Sequence, residues 1–150
     1  TLLIGESMQK LDYTLANCCN PIAGDEVFGF ITVSGGIKVH RQNCPNTTNM
    51  LSRYAYRMMK ARWTSKVATQ FEVRIAFTGI DDVGLVNQLT TVISEDMRVN
   101  MKAISMETKD GIFDGYITAL VTNTSHLKDL MGKLKNVSGV HSVERVDEEL

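Results

Sequence analysis

The feature that most constrains the fold is the hydrophobic period of residues 71–146, which switches between strand and helix spacing. Residues 71–78 alternate apolar side chains with polar or small ones, which is typical of a strand with one buried face. Residues 85–93 place leucine, valine and isoleucine at helical spacing, after a turn at residues 81–84. This pattern favours a helix that packs its apolar stripe against one face of a sheet.

The middle of this segment predicts a second and a third strand. Residues 99–109 read as a strand whose poor alternation indicates a bulge. The dipeptide Asp110-Gly111 predicts a hairpin turn, and residues 113–121 alternate again. These two strands are therefore expected to pair as an antiparallel hairpin.

A second helix and a last strand complete the segment. Thr124 or Ser125 is a suitable cap for a helix that Gly139 ends, and residues 140–146 read as a strand. The resulting order, β-α-β-β-α-β, predicts a ferredoxin-like domain with both helices on one face of a four-stranded antiparallel sheet. The other face would be open to solvent, a ligand or a second subunit.

The first part of the chain follows a less regular pattern. Residues 1–14 read as a linker or the end of a helix. A hairpin is predicted over residues 27–40, because two apolar runs flank a Val-Ser-Gly-Gly turn. A helix that begins at Asn46 or Thr47 and ends near Arg62 should follow.

The predicted fold class is α+β with two domains. We place a small α+β hairpin-and-helix module at residues 15–66 and the ferredoxin-like domain at residues 67–150, since the charge of the chain changes between them. A chain of 150 residues with 43% hydrophobic residues has the composition of a folded protein. No run approaches the roughly 18 apolar residues that span a membrane, so no membrane partner is expected.

Cysteine usage indicates a cytoplasmic protein. The chain has three cysteines and no signal-peptide pattern, and an odd number argues against the disulfide framework of a secreted protein. Reduced thiols are therefore expected. The chain opens on Thr1 instead of methionine, so we expect it to be part of a longer protein.

A basic block occupies residues 27–70, which hold seven basic side chains and no acidic one within a chain of net charge −1. Such a block is a candidate surface for a polyanion. Tyr54, Tyr56 and Trp63 lie among the charges, and aromatic faces beside cations suit unstacked RNA bases. A solvated helix face with its rings in the core is the alternative interpretation. The candidate RNA contacts are Lys38, Arg41, Arg53, Arg57, Lys60, Arg62 and Lys66.

The cysteines define a candidate metal site. Cys18, Cys19, His40 and Cys44 form a Cys₃His set, which is a known structural zinc composition. Neighbouring side chains on a strand point to opposite faces, so the adjacent pair could reach one ion only from a turn. Possible structural zinc is the only cofactor that the sequence indicates, and none is required by any other motif.

The same four residues have a second interpretation. Buried or redox-active thiols would also explain them, and a thiol beside His40 could form a nucleophilic dyad. The alternative function is therefore a thiol-based redox or metal-sensing module. No acidic residue is placed to orient His40, which favours a binding module over a thiol enzyme.

Two stretches resemble a known family. Residues 15–46, LANCCNPIAGDEVFGFITVSGGIKVHRQNCPN, closely resemble the Cys-Cys-x-Pro-Ile-x-Gly-Asp … His-Arg-x-x-Cys-Pro-Asn signature of long RelA/SpoT-type alarmone synthetase/hydrolases. Residues 77–95, FTGIDDVGLVNQLTTVISE, with the β-β-α-β that follows, resemble the ACT domain that ends those proteins. Ala23 stands where family members commonly have proline, which is a change in a loop. The two matches cover about residues 15–147 in the family's order.

The resemblance implies a regulatory function for this chain. The parent would be a (p)ppGpp synthetase (GTP pyrophosphokinase), and in many members also a hydrolase, that responds to starvation. Its zinc-finger-like, ribosome-intersubunit module would contact ribosomal RNA near bound deacylated tRNA and restrain the catalytic domains when off the ribosome. The hydrolase, synthetase and TGS domains lie outside this sequence, so this chain is not expected to be an enzyme. Whether the parent is bifunctional or synthetase-only stays open.

The resemblance also implies an effector site in the ACT domain. ACT domains pair side by side and bind small effectors, often amino acids, at the edge between the sheet and the first helix. A homodimer and a branched-chain amino acid are therefore the expected partner and ligand. Backbone N–H groups of the turn before the helix would hold a carboxylate. The candidate effector-binding residues are Asp81, Asp82, Val83, Gly84, Leu85 and Ile104.

Overall fold

The computed structural model describes residues 1–5, 13–64, 70–80 and 84–147. The chain divides into two compact units, residues 1–69 and 70–150, and each unit has its own sheet. We call them the first unit and the second unit. The boundary expected at residues 66–67 falls outside the described residues.

The first unit is a five-stranded sheet with one short helix, α1 (Thr47–Tyr54). The strands run in the spatial order β1-β5-β3-β4-β2. A single 3₁₀ turn, Ala55–Arg57, joins α1 to the last strand. The strands are β1 (Leu2–Ile4), β2 (Tyr13–Leu15), β3 (Val27–Ile31), β4 (Ile37–Arg41) and β5 (Met58–Trp63).

The β3–β4 hairpin is confirmed, but two other predictions for this unit are wrong. The segment expected to be a linker or helix end, residues 1–14, contributes β1, which pairs in parallel with β5. Tyr13 begins β2, which pairs in parallel with β4. Leu2 and Ile4 are buried, so a short alternating run at the start of the chain completes the sheet.

The predicted helix ends early, at Tyr54 instead of near Arg62. Residues 59–63 alternate apolar and basic side chains, and this period of two is typical of a strand such as β5. β5 pairs with both β1 and β3 and so lies inside the sheet. Pairing with two strands outweighs the high helix propensity of the methionine, lysine, alanine and arginine residues in this stretch.

The two faces of the first sheet differ in character. On the outer face, the strand register places Phe28 between His40 and Lys60. Phe30 lies beside Lys38 on the same face. Aromatic and basic side chains therefore share one surface. The inner face buries a core of Leu2, Ile4, Val27, Ile37 and Val39.

The second unit confirms the predicted β-α-β-β-α-β order. Its four strands are antiparallel, in the spatial order β7-β8-β6-β9. The expected bulge in β7 lies between Met101 and Ala103. The elements are β6 (Phe71–Ile80), α2 (Leu85–Thr91), which continues as a π-helical turn (Val92–Asp96), β7 (Asn100–Lys109), β8 (Ile112–Val121), α3 (Thr124–Lys135) and β9 (Val140–Val146).

Two local details of the second unit differ from the prediction. The cap of α3 is Asn123, whose side-chain oxygen accepts a hydrogen bond of 2.9 Å from the His126 N–H. Asparagine is as good a cap as serine or threonine, so the cap lies one residue before the nearer of the two predicted caps. Val86 was expected on the apolar stripe of α2 but is 51% exposed. Leu85, Leu89 and Ile93 alone form that stripe.

Close backbone packing marks one end of the second sheet. Ile80 N–H donates a hydrogen bond of 2.9 Å to the Gly139 carbonyl, which follows α3. A methyl group on Gly79 would overlap both that carbonyl oxygen and the ring of Phe113. Glycine at position 79 therefore lets the segment after α3 lie directly against β6.

Candidate metal centre and basic outer face

The four predicted metal ligands converge at one point of the first unit. Cys18 Sγ lies 3.4 Å from both His40 Nδ1 and Cys44 Sγ. Cys44 Sγ lies 3.8 Å from His40 Nδ1, and Cys19 Sγ lies 4.0 Å from it. All four ligand atoms are within 4.8 Å of one another. The sequence prediction of a single cluster is therefore matched by the geometry.

The turns that flank the strands explain this convergence. Cys18 and Cys19 lie on a turn after β2, closed by a hydrogen bond of 3.0 Å from Asn20 N–H to the Ala16 carbonyl. The adjacent pair can therefore face one point, as the sequence required. Cys44 lies on the turn after β4, and its N–H donates to the Arg41 carbonyl.

The donor set fits a tetrahedral zinc ion. Zinc bonds of about 2.3 Å to sulfur and 2.0 Å to nitrogen imply ligand–ligand separations of about 3.6–3.8 Å. Four of the six ligand–ligand separations, at 3.4–4.0 Å, bracket that value, and all six are within 4.8 Å. Arg41 N–H also donates to Cys19 Sγ at 3.3 Å, which is the kind of outer contact that orients a metal-bound thiolate.

Burial controls the protonation of this cluster. Burial raises the pKa of the Cys19 and Cys44 thiols, and it lowers the pKa of the His40 imidazole with a smaller contribution from the Lys38 charge. Without a cation these three groups are therefore neutral near pH 7, and neutral thiols are poor nucleophiles. A bound dication would stabilise thiolates instead. These directions favour a metal centre over an activated thiol.

Aromatic rings enclose the histidine of the cluster. The Phe28 ring stacks on His40 with centroids 5.5 Å apart, and the Phe30 ring meets it edge-on at 6.4 Å. Sequence reasoning did not assign these two phenylalanines to the site. The signal was the hairpin register, which aligns Phe28 with His40 across the two strands.

The outer face of the first sheet brings three predicted RNA contacts together. Lys38, Lys60 and Arg62 are exposed and point to the side that also holds Phe28. A groove of about 630 Å³ on this unit is lined by Phe28, Met58, Lys60 and Arg62, among others. The groove has an apolar floor with cations beside it.

The remaining predicted RNA contacts differ in how exposed they are. Arg53 is exposed on α1, and Arg57 lies on the 3₁₀ turn that follows. Arg41 is different, because its side chain is only 12% exposed and its Nε lies 3.7 Å from the Asp25 carboxylate. Arg41 is therefore a structural residue at the end of β4, beside the Cys₃His cluster. Lys66 lies outside the described residues.

The two tyrosines and the tryptophan of the basic block also differ in their exposure. Trp63 is half-buried, and its Nε1–H donates to the Asp25 carbonyl at 2.9 Å, so it belongs to the fold. Tyr54 and Tyr56 are exposed. The alternative interpretation, rings in the core, therefore holds for Trp63 only.

The predicted effector site is only partly described. Asp81, Asp82 and Val83 lie outside the described residues. Gly84 is exposed, with a φ of 89° that disfavours any other residue. Leu85 is 4% exposed and packs in the core, whereas Ile104 is 40% exposed on the edge strand β7. Leu85 is therefore not available to line an open cleft.

Two domain matches decide the family. Residues 3–64 match the RelA/SpoT RIS domain, and residues 68–145 match the ACT domain. The chain belongs to the RelA/SpoT family. The first unit is its RIS domain and the second unit its ACT domain.

The RelA/SpoT relatives are much longer than this chain. The bifunctional (p)ppGpp synthase/hydrolase RelA of Mycobacterium tuberculosis is 32% identical over 133 residues, which are 88% of this chain and 18% of that protein. The GTP pyrophosphokinase of Escherichia coli is 29% identical over 146 residues, which are 96% of this chain and 20% of that protein. The match covers the regulatory RIS and ACT region of proteins that are enzymes in full length.

A solved structure of an ACT domain is also similar to this chain. The ACT domain from the GTP pyrophosphokinase of Chlorobium tepidum is 42% identical, with a TM-score of 0.48, and the alignment covers 52% of this RelA/SpoT chain and all of that one.

Among the described residues, none of the helices has the length and apolar character needed to cross a membrane.

Proposed function

We propose that this chain is a regulatory module that docks a (p)ppGpp synthetase or synthetase/hydrolase on structured RNA of the ribosome, beside deacylated tRNA. The observation behind the proposal is the outer face of the first sheet, where Lys60 and Arg62 line an apolar groove and Lys38 lies on the same face. The catalytic domains of the longer protein would be its second partner, held in check while the module is off the ribosome.

The charge distribution supports RNA as the ligand. Lys38, Lys60 and Arg62 project from a rigid sheet, so binding costs little backbone ordering. Phosphates bind such cations through charge and counterion release, without needing a particular sequence. The apolar groove beside Lys60 and Arg62 suits the faces of bases that are not stacked in a duplex.

Removing the three basic side chains of the outer face should weaken RNA binding strongly. We expect the triple variant Lys38→Ala, Lys60→Ala, Arg62→Ala to lower the slope of log K against log salt by about 2–3, since each lost phosphate contact accounts for roughly 0.7–0.9. The matched control removes three exposed lysines of α3, Lys128, Lys133 and Lys135, and leaves the net charge equal. Filter binding to a ribosomal RNA hairpin at several salt concentrations measures both. Equal effects of the two triple variants would show that only net charge matters.

We also propose a structural zinc ion at Cys18, Cys19, His40 and Cys44. The support is the Cys₃His donor set at tetrahedral separations and the burial of three of the four residues. When bound, the ion would supply cross-linking between the turn after β2 and the turn after β4. It would thereby fix Phe28 and Phe30, which pack on His40 beneath the basic face.

The second unit is proposed to pair with another copy and to bind a branched-chain amino acid. Ile104 supports the pairing, because it is 40% exposed on edge strand β7 and shares the helix side of the sheet with Ile117. Gly84 supports the ligand site, since no side chain of the described residues lies within 4 Å of the position that a Cβ would occupy there. Valine, leucine and isoleucine at millimolar concentration should give heat in a calorimetric titration. The absence of both heat and a melting shift would remove the effector proposal.

A charge on the β7 edge should break the dimer. We expect Ile104→Asp to make the protein monomeric at concentrations where the wild type is dimeric, because it buries a carboxylate in the contact. Ile112→Asp is the matched control, since Ile112 is 58% exposed but faces the opposite, helix-free side. Light scattering after size exclusion measures the mass. A dimer that survives Ile104→Asp would place the contact elsewhere.

A further inference from the structure

Three side chains after α1 form an exposed stack on the first unit. The Arg57 guanidinium lies 5.4 Å from the centre of the Tyr54 ring and 5.9 Å from that of the Tyr56 ring. Tyr56 is 77% exposed. In the described part of the chain, Arg57 pairs with no carboxylate, so the rings are its neighbours. The planar guanidinium of Arg57 thus covers part of the Tyr56 ring, and the rest of that ring is exposed to water.

This stack is anchored on the metal centre. The Tyr54 ring meets the Phe30 ring edge-on at 6.3 Å, and Phe30 in turn meets His40 at 6.4 Å. A continuous line of rings therefore runs from the Cys₃His cluster to the surface. Tyr54 is held by these contacts, whereas Tyr56 is free to accept a further planar group.

We propose that Tyr56, backed by Arg57 and Tyr54, is a stacking site for one unpaired nucleobase of the bound RNA. The inference rests on the proposed RNA-binding function and specifies which feature of the RNA is recognised. The base would stack on the open face of Tyr56, and its flanking phosphates would meet Arg57 and the neighbouring Arg53. A base inside a duplex is already stacked on both faces, so only a bulged or looped base can enter.

The chemistry of the stack favours a nucleobase over an acidic peptide. A peptide carboxylate would pair with Arg57 but gains nothing from the exposed Tyr56 ring. A nucleotide satisfies both groups, because every base has a π-face and an adjoining phosphate. Arginine also stacks in a plane as lysine cannot, which makes Arg57 more than a point charge.

The test compares short RNA hairpins that differ at a single position. One hairpin has one bulged adenosine, the second is fully paired, and the third has an abasic site at the bulge. The wild-type chain should bind the bulged hairpin about 10-fold or more tightly than the other two. Tyr56→Leu should remove this preference, whereas Tyr56→Phe should retain it. Arg57→Lys should reduce the preference and leave the salt slope unchanged.

The controls separate this proposal from general RNA binding. Tyr116→Leu makes the same substitution in the second unit and should leave the preference intact. Circular dichroism should show that the Tyr56 variants fold, because that side chain is 77% exposed. Equal binding of all three hairpins by the wild type overturns the stacking site but leaves the proposed function standing. No binding to any hairpin overturns both, and competition by a polyglutamate peptide as strong as by the bulged hairpin would show that charge alone is recognised.

Discussion

The purified protein is expected to contain about one zinc ion per chain, and its removal should unfold the first unit. The first unit has a small core that lies on one face of its sheet, and three of the four ligand side chains are buried beside it. Structural zinc contributes on the order of 10 kcal/mol or more to folding in comparable small sites. That contribution exceeds what a core of this size can supply alone. The second unit has its own core and should stay folded.

Matched histidine variants test this expectation. His40→Ala removes a ligand, whereas His141→Ala removes an exposed histidine of β9. Metal analysis should show loss of zinc for the first variant only, and hydrogen exchange should show loss of protection only in residues 1–64. Acidification should act like the chelator, because thiolates and imidazole must lose protons to bind metal, so zinc affinity rises with pH. Metal-free protein with full protection would show that these side chains are packing elements.

Gly79→Ala should destabilise the second unit by about 3 kcal/mol or more. The added methyl would overlap the Phe113 ring and the Gly139 carbonyl oxygen, and neither is the free end of a flexible side chain. Relief requires either the loss of the Ile80–Gly139 hydrogen bond or a shift of β8. Both changes disturb the core contact between Phe77 and Phe113, whose centroids are 5.7 Å apart.

Gly132→Ala is the control for that substitution. Gly132 lies inside α3, and a methyl there meets no atom within 4 Å. It should stabilise the second unit by about 0.5–1 kcal/mol, because alanine loses less entropy in a helix. Urea unfolding monitored by circular dichroism gives both free energies. If the Gly79→Ala variant and the wild type have the same free energy of unfolding, the end of β6 would accommodate the methyl group without loss of stability.

The second unit could be predicted from sequence because its information is local. Each strand and helix shows its own period, and the short turn Asp110-Gly111 joins the antiparallel neighbours β7 and β8. Among the strands of the first unit only the β3–β4 hairpin could be predicted, because β1 and β2 are three residues each and pair in parallel with distant strands. So short a run has no readable period, and parallel pairing leaves no turn signal.

The candidate site shows the same division. The Cys₃His set was legible because rare residue types concentrate in residues 18–44. The burial of the Arg41 side chain could not be predicted, since its partner Asp25 is 16 positions away and only the fold brings the two together. Likewise, Trp63 and Tyr56 look equivalent in sequence, but an alternating strand turns one inward and a 3₁₀ turn leaves the other exposed.

The pairing of β1 with β5 sets an order for folding during synthesis. Leu2 pairs with Ala61, so the first sheet cannot be completed until the chain has been translated past that position. The four ligand side chains all lie within residues 18–44 and leave the exit tunnel earlier. A metal ion bound at that stage would close the loop between the two turns while β1 still lacks a partner, and loop closure of this kind lowers the entropy that later pairing must overcome. β5 is the last strand of this sheet to be translated and adds Lys60 and Arg62 to the outer face, so the basic side of the sheet cannot be complete before β5 has been made.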